Sequence, residues 1–156
     1  MNNQLDAKPV YIHYGSNKFK TPDSILNQAV FTKPSGGLWA SRKGDANGWK
    51  NWCIKEDFLV YSLNKSFEFT LKDNARVLKL ENRGQLVNLP RTIDNKYDET
   101  DPYDTCYLDF EELSKDYDAI ELMDIYEFYF ALYGWDCNSI LIMNPDVIDI
   151  ISEEDY

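Results

Sequence analysis

The chain carries two adjacent glycines directly before a short apolar run, in the segment PSGGLWAS at residues 34–41. Gly36 and Gly37 can adopt backbone conformations that are closed to other residues, and they let the chain pass close to another group. A second segment of similar character, YIHYGS at residues 11–16, carries the single histidine of the chain, His13. Because both segments combine glycine, serine and aromatic residues, we expect them to form a cleft for a flat, polar ligand.

The remaining apolar pattern indicates one α+β domain that spans residues 1–156, since the length suits a single core and no linker interrupts it. Aromatic residues make up 15% of the chain, and this content favours strands and aromatic-lined pockets. Apolar residues that alternate or run together predict strands, and apolar residues at helical spacing predict helices. The predicted strands are residues 9–14, 37–41, 67–71, 75–80, 118–123 and 139–143, and the predicted helices are residues 48–58 and 108–115.

Several segments have a less regular pattern. Residues 21–23 predict a short helix or a turn, because a proline stands at a favoured first-turn position. Residues 82–84 predict a turn, and residues 92–105 predict a loop because they lack periodicity. Residues 126–133 fit either a helix or a strand. The acidic tail at residues 149–156 is expected to fray.

The charge of the chain restricts its partners. Twenty-seven acidic residues against sixteen basic ones give a formal net charge of −11 at pH 7. Such a chain repels phosphate backbones, so no generic nucleic-acid binding is expected. A basic protein partner or target suits this charge, and so does an acidic surface that mimics nucleic acid. Solubility alone is the simplest explanation of the charge.

The cysteines and the histidine predict neither disulfides nor a metal site. Cys53, Cys106 and Cys137 are too few and too scattered for a disulfide framework, and no Cys-x-x-Cys pair is present. With one histidine, a zinc site is not expected. We therefore expect reduced, packed cysteines in a cytoplasmic protein. No apolar run approaches the length of a membrane span, and no membrane partner is expected.

Two side chains in the expected cleft have both a ligand-binding and a structural interpretation. The ring nitrogens of His13 and the hydroxyl of Ser16 can hold a ribose hydroxyl or a carboxamide. Alternatively, His13 is a half-buried histidine that bonds to the backbone. Trp39 is either a stacking wall for a planar ring or a core residue of its strand. The chain contains no Gly-x-Gly-x-x-Gly fingerprint and no phosphate loop that ends in Gly-Lys-Ser/Thr.

Taken together, the order of these segments resembles the ADP-ribosyltransferase fold of the diphtheria-toxin and PARP type. His-Tyr-Gly-Ser stands at residues 13–16, Gly-Gly-Leu-Trp-Ala-Ser at residues 36–41, and Ser-Ile-Leu-Ile-Met-Asn-Pro-Asp at residues 139–146. The resemblance covers about residues 11–150. It implies a split antiparallel or mixed sheet with short helices, and NAD as the substrate.

The resemblance also implies roles for single residues. His13 corresponds to the histidine that grips the nicotinamide ribose and carboxamide, although Tyr14 is inserted before Gly15. Trp39 falls near the aromatic residue that stacks on nicotinamide. The implied NAD-binding residues are His13, Tyr14, Gly15, Ser16, Gly37, Leu38, Trp39, Ser41 and Ser139.

The late strand departs from the family pattern at one position. Ser139 stands where the family has a glutamate that stabilises the positive charge developing on the ribose and orients the nucleophile. Three alternatives follow. Asp136, Glu121 or Asp124 has taken over this role, with Asp136 and Glu121 implied as catalytic residues beside His13. Alternatively, NAD is bound without reaction, or the fold serves a protein partner.

Two functions are therefore expected as alternatives. The first is an NAD-dependent mono-ADP-ribosyltransferase that modifies a macromolecular target, in the manner of a bacterial or phage effector. The second is a non-enzymatic, acidic interaction protein on the same fold, such as a mobile-element inhibitor of a host defence protein.

Overall fold

The computed structural model describes residues 7–93 and 97–153, and within them seven strands form one mixed sheet. The strand order is β4-β5-β6-β2-β1-β3-β7. Strands β4 and β5 are parallel, and every other neighbouring pair is antiparallel. The chain is therefore a single small α+β domain. The strands are β1 (Tyr11–Tyr14), β2 (Leu38–Arg42), β3 (Ser66–Leu71), β4 (Val77–Leu80), β5 (Ala119–Leu122), β6 (Ser139–Ile142) and β7 (Ile148–Glu153).

All six strands predicted from the sequence are confirmed, with slightly different ends. In β3, Phe67 and Phe69 are buried while the residues between and beside them are partly exposed, which is the alternation that predicted this strand. In contrast, β5 and β6 are buried at every position. A strand buried on both faces gives an almost continuous apolar run, as residues 139–143 do.

The expected fraying of residues 149–156 is wrong as far as residue 153. Strand β7 (Ile148–Glu153) pairs antiparallel with β3 along its length, with a register shift between Glu68 and Phe69. The backbone hydrogen bonds that β3 offers to β7 outweigh the acidic composition, and Ile148 is buried in the core. Residues 154–156 lie outside the described part of the chain.

Short helices connect the strands. Helix α1 (Trp49–Glu56) confirms the prediction for residues 48–58, and α2 (Phe110–Leu113) confirms a shorter version of the one for residues 108–115. Asp109 caps α2 by accepting a hydrogen bond from the backbone N–H of Glu112 at 3.0 Å. The open choice at residues 126–133 resolves into α3 (Ile125–Phe128) followed by turns. The described residues also form three 3-10 helices: Val60–Asn64, Arg83–Asn88 and Pro145–Val147.

The remaining irregular segments differ from expectation in part. The helix or turn predicted at residues 21–23 is wrong, because these residues form an irregular connection, and an isolated bridge joins Leu26 to Ser35 nearby. The turn predicted at residues 82–84 is the capped start of a 3-10 helix. The predicted loop at residues 92–105 is confirmed for its described residues, while 94–96 lie outside them.

The sheet separates two apolar clusters, one on each face. The larger includes Trp135, Phe110 and Phe128, and the smaller includes Phe67 and Phe69. The three cysteines are free and buried, in agreement with the predicted packing. No helix in the described residues is long and apolar enough to cross a membrane.

Candidate functional site

The sheet opens between its two central strands. Strands β1 and β2 pair through only two residue pairs, Tyr11–Arg42 and Ile12–Ser41. Beyond them β1 continues to pair with β3, and β2 continues to pair with β6. A cavity of about 250 Å³ lies where β1 and β2 separate. The cleft expected from residues 11–16 and 34–41 is thus present between the two strands that they form.

His13 bridges the gap between the separated strands. Its Nδ1 lies 2.6 Å from the backbone carbonyl oxygen of Trp39. Because a carbonyl only accepts hydrogen bonds, we assign the hydrogen to Nδ1, which leaves Nε2 as the acceptor of a neutral ring. Burial lowers the pKa of His13 below its ordinary value of 6.5, and the hydrogen bond to Trp39 offsets only part of this effect. At neutral pH the site therefore contains an uncharged imidazole ring whose Nε2 can accept a hydrogen bond.

Three tryptophans form the walls of the cavity. The rings of Trp39 and Trp135 meet edge to face, with centroids 4.8 Å apart. Trp135 is fixed because its Nε1 donates to the carbonyl oxygen of Thr32 at 2.9 Å. Trp49 lines another part of the cavity, and the amino group of Lys33 lies 5.4 Å from the centroid of the Trp39 ring. Such walls suit a flat ring, and Lys33 already supplies a cation over the face of Trp39.

Two serines line the cavity, but their hydroxyl groups donate hydrogen bonds to backbone carbonyl oxygens. The Ser41 hydroxyl donates to the carbonyl of Asn138 at 2.8 Å and accepts from the N–H of Trp49 at 3.0 Å. The Ser139 hydroxyl donates to the carbonyl of Cys137 at 3.1 Å. Ser41 therefore ties β2 to the start of α1 and to the loop before β6, which holds the cavity walls together.

Cys137 also lines the cavity, but it is not an activated nucleophile. Burial raises the pKa of its thiol to about 12. Since the thiolate is the reactive form, a thiol with this pKa stays protonated and unreactive at neutral pH.

Glu121 does not line this cavity and is held in an ion-pair network. It is 3% exposed, on β5. Arg42 donates to Oε2 at 2.7 Å through Nε and to Oε1 at 3.0 Å through its terminal nitrogen, and the Tyr11 hydroxyl donates to Oε1 at 3.0 Å. Burial raises the pKa of Tyr11, so its hydroxyl keeps its hydrogen. Both carboxylate oxygens of Glu121 are thus engaged within the fold.

Asp136 is not among the residues that line the cavity, although its two neighbours in the chain are. It stands between Trp135 and Cys137, which both line the cavity, and its carboxylate is 3.8 Å from the amino group of Lys33, another lining residue. Burial raises the pKa of the Asp136 carboxyl. Asp124 has a different role, because it caps α3 through the N–H of Tyr126. None of the lining residues in the described part of the chain is itself a carboxylate.

The structure brings together only part of the residue set implied by the resemblance. Gly15, Ser16, Gly37 and Leu38 lie outside the cavity lining. The Ser16 hydroxyl donates to the carbonyl of Lys18 within its own turn, and Leu38 is buried in the smaller apolar cluster. The implied residues that do line the cavity are His13, Tyr14, Trp39, Ser41 and Ser139.

The glycine pair serves the close packing of the chain. Gly36 and Gly37 have φ angles of 77° and 72°, in the region that favours glycine. A Cβ atom at Gly36 would stand 2.2 Å from the carbonyl oxygen of Ser24, and one at Gly37 would stand 2.8 Å from the side chains of Ile25 and Leu141. The two glycines thus position the entry to β2, and thereby Trp39, without contacting a ligand themselves.

Several lining residues could not be found by reasoning from the sequence. Lys33 and Trp135 are neighbours only because the loop at residues 30–33 packs against the segment before β6. Trp49 was visible as part of a predicted helix, but its place in the cavity depends on the backbone bond from α1 to Ser41. Local sequence patterns do not predict these contacts, because they join residues that lie far apart in the chain.

A second depression of about 330 Å³ adjoins the cavity. It shares residues such as Tyr14 and Trp49 with the cavity, and Arg42, Lys43 and Lys50 also line it. Basic side chains of an otherwise acidic protein therefore face one side of the site.

Comparisons of this chain with protein-family models, with curated proteins and with solved structures find no match.

Proposed function

We propose that the cavity binds the nicotinamide and ribose groups of NAD, and that the protein is an NAD-dependent mono-ADP-ribosyltransferase that modifies a macromolecular target. One observation carries the proposal: His13, fixed by its bond to the carbonyl of Trp39, presents an uncharged Nε2 acceptor in a cavity walled by tryptophans. A ribose hydroxyl can donate to such an acceptor. The pyridinium ring of NAD is flat and cationic, and aromatic walls favour such a ring.

The neighbouring depression supports a dinucleotide rather than nicotinamide alone. Lys43 and Lys50 line it, and ammonium groups bind phosphate oxygens. Lys43 already pairs with Glu68 at 3.0 Å, so Lys50 is the better candidate for contact with the diphosphate. Cations at this place reduce the repulsion that an acidic protein exerts on a phosphate-bearing ligand.

Asp136 is the carboxylate that we assign to the transfer step. The bond between the ribose C1′ and the nicotinamide nitrogen breaks, and its electron pair neutralises the pyridinium ring. A nucleophile of the target then forms a bond to C1′, and its proton passes to the Asp136 carboxylate. Asp136 is preferred over Glu121 because both oxygens of Glu121 are engaged by Arg42 and Tyr11.

The proposal is tested by calorimetric titration with NAD, followed by measurement of nicotinamide release and of labelled ADP-ribose on proteins of a lysate. The informative variant is His13→Asn, because the asparagine amide can still donate to the carbonyl of Trp39 while the Nε2 acceptor is lost. We expect wild-type protein to bind NAD and His13→Asn to bind it about 10-fold more weakly, as for loss of one good hydrogen bond.

Ser16→Ala is the matched control, since its hydroxyl serves only a local turn. It should leave NAD binding unchanged. Absence of NAD binding by the wild-type protein would refute the proposal as a whole.

A second candidate function is a non-enzymatic interaction protein. Two observations favour it: no carboxylate lines the cavity in the described residues, and the net charge is −11. This candidate predicts that NAD, if bound, stays intact over long incubation. Release of nicotinamide that depends on Asp136 would exclude it.

A further inference from the structure

Four exposed aromatic side chains form a connected cluster on the surface beyond α3. Tyr129, Phe130 and Tyr133 are 56%, 40% and 63% exposed, and Tyr103 from the loop before α2 is 71% exposed. Ring centroids are 5.0 Å apart for Tyr103 and Phe130, 4.9 Å for Tyr129 and Phe130, and 6.3 Å for Tyr129 and Tyr133. We call these four residues the aromatic surface. Contiguous exposed apolar patches of this kind mark interaction sites.

A groove of about 510 Å³ borders the aromatic surface at Tyr133. Val30 and Phe31 line it, and both are largely exposed. Val30 has a φ angle of 60°, a conformation that is costly for a β-branched residue. The sequence therefore keeps an apolar side chain in a strained position where it contributes little to the core.

Buried contacts hold this groove in shape. The Thr32 hydroxyl donates to the carbonyl of Tyr133, and the Trp135 indole donates to the carbonyl of Thr32. Because Thr32 and Trp135 are both buried, the exposed residues on either side of the groove are fixed relative to each other. A fixed surface loses less conformational freedom when a partner docks.

The chain segment that carries Tyr103 is acidic, while Arg91 lines a depression beside Tyr103 and Lys33 lines the groove. Tyr103 belongs to the segment of residues 97–104, which contains four acidic residues and neither lysine nor arginine among these described positions. The pKa of Asp98 is held below its ordinary value by hydrogen bonds from Thr100, so it is ionised at neutral pH. The acidic residues of this segment are Asp98, Glu99, Asp101 and Asp104.

We propose that the aromatic surface and the adjoining groove dock a basic segment of a partner protein. Arginine or lysine side chains would stack on the exposed rings and pair with the acidic segment, while an apolar side chain enters the groove beside Val30 and Phe31. Charge complementarity selects this partner, because nucleic acid and a second copy of this chain are both negatively charged. The inference does not depend on the content of the cavity.

The groove also adjoins the candidate site. Lys33 lines both the groove and the cavity. A segment docked along the groove would therefore end beside the cavity, which is where the target of a transferase has to lie. A partner held only as an inhibitor would use the same surface.

The probe for the test is a short synthetic peptide of alternating arginine and leucine, with two comparison peptides that replace either arginine by glutamine or leucine by serine. Binding is measured by fluorescence anisotropy, and its place by amide NMR shifts. The test variant combines Tyr129→Ser and Tyr133→Ser. The matched control combines Ile54→Ser and Tyr61→Ser, because these residues are also exposed but lie on and after α1, outside the aromatic surface.

We expect the arginine–leucine peptide to bind best and to shift resonances around Tyr103 and Tyr133. The test variant should bind it about 10-fold more weakly, as for the loss of two exposed cation–π contacts, and the control variant should bind normally. Rising salt should weaken the binding. Thermal unfolding of both variants verifies that they remain folded.

Three results would overturn the proposal. The first is equal binding by the test variant, and the second is equal binding of the peptide without leucine, which would reduce the interaction to net charge. The third is that the aromatic surface instead binds duplex or single-stranded nucleic acid, or mediates self-association. Either would be seen as a complex that the wild-type protein forms and the test variant does not. A further variant, Asp101→Asn with Asp104→Asn, should reduce the salt dependence without altering the rings.

Discussion

Glu121 and Asp136 show how two carboxylates of one small domain come to differ. Glu121 lies on β5, and Arg42 and Tyr11 together donate three hydrogen bonds to its two oxygens. Asp136 lies in the loop before β6, its side chain is 33% exposed, and its ion-pair partner Lys33 is 3.8 Å away. One carboxylate is enclosed by the fold, and the other is partly exposed between two residues that line the cavity.

The difference in hydrogen bonding suits Glu121 to stabilising the fold and Asp136 to proton transfer. A carboxylate that already accepts three hydrogen bonds within the fold holds strands together and has little acceptor capacity left for a ligand. A carboxylate with unfilled acceptor capacity can take up a proton from a nucleophile. Burial raises the pKa of Asp136, and this makes it a stronger proton acceptor than a fully exposed aspartate.

The largest expected effect is on the transfer reaction in Asp136→Asn. We expect nicotinamide release and target labelling to fall about 10²–10³-fold, as for loss of one preorganised electrostatic group. NAD binding and thermal stability should stay close to wild type, because asparagine tolerates the left-handed conformation of this residue, φ 61°. Steady-state kinetics and calorimetry on the same samples check this. Full activity in Asp136→Asn would remove Asp136 from the mechanism.

The next effect is on stability in Glu121→Gln. We expect a loss of about 2–3 kcal/mol in the free energy of unfolding, because Arg42 loses its charged partner in a partly buried site. Urea denaturation measures it. The control is Glu68→Gln, which breaks the more exposed pair with Lys43 and should cost less than about 1 kcal/mol. Equal losses in the two variants would mean that the Glu121 network is no more stabilising than a surface pair.

The contrast between these carboxylates could not be predicted from the sequence. Glu121 lies 79 residues from Arg42 and 110 from Tyr11, so its network arises only when β1, β2 and β5 assemble. The strands themselves were predictable, because apolar alternation and continuous apolar runs are local properties. The last strand was missed because its partner, β3, lies far away in the chain, and the tail composition is acidic.

The site was predictable to a similar degree. His13 and Trp39 stand in recognisable local patterns, and both line the cavity. Gly37 stands in the same pattern but serves chain packing, since sequence alone does not show which neighbours surround a glycine. Lys33 belongs to a loop without regular pattern, and it joins the cavity through tertiary contacts alone.

A third prediction concerns the open site itself. His13→Asn should weaken NAD binding about 10-fold while changing stability little, because the amide replaces the donor to the carbonyl of Trp39. Calorimetry and urea denaturation on one preparation separate the two effects. A large loss of stability with unchanged NAD affinity would show that His13, like Glu121, stabilises the fold and does not bind the ligand.

Protonation of His13 gives a smaller effect that depends on pH. Burial lowers the folded-state pKa below the ordinary 6.5, so below that pH the unfolded chain binds more protons than the folded one. This contribution is complete above pH 6.5 and is lost as the pH falls through the folded pKa, at no more than about 1.4 kcal/mol per pH unit. Denaturation of wild type and His13→Asn between about pH 5 and pH 8 isolates it by difference. If the free energies of unfolding of the two proteins change in parallel with pH, burial does not shift the pKa of His13.

The smallest effect extends the comparison to cations. Arg42 and Lys50 line the same depression, but Arg42 is held by Glu121, whereas Lys50 stands in the first turn of α1. Lys50→Gln should weaken NAD binding about 3-fold, in keeping with one solvent-exposed charge contact, and should leave the binding of free nicotinamide unchanged. Lys55→Gln is the matched control, because it removes the same charge from the last turn of α1.

Calorimetry with both ligands distinguishes the possible outcomes. A loss confined to NAD and to the Lys50 variant would place the diphosphate beside the start of α1. Equal losses in the two lysine variants would instead indicate a general effect of net charge. If neither variant changes the affinity for NAD, the depression does not contribute to NAD binding. The proposed NAD site then consists of the tryptophan-walled cavity and Asp136.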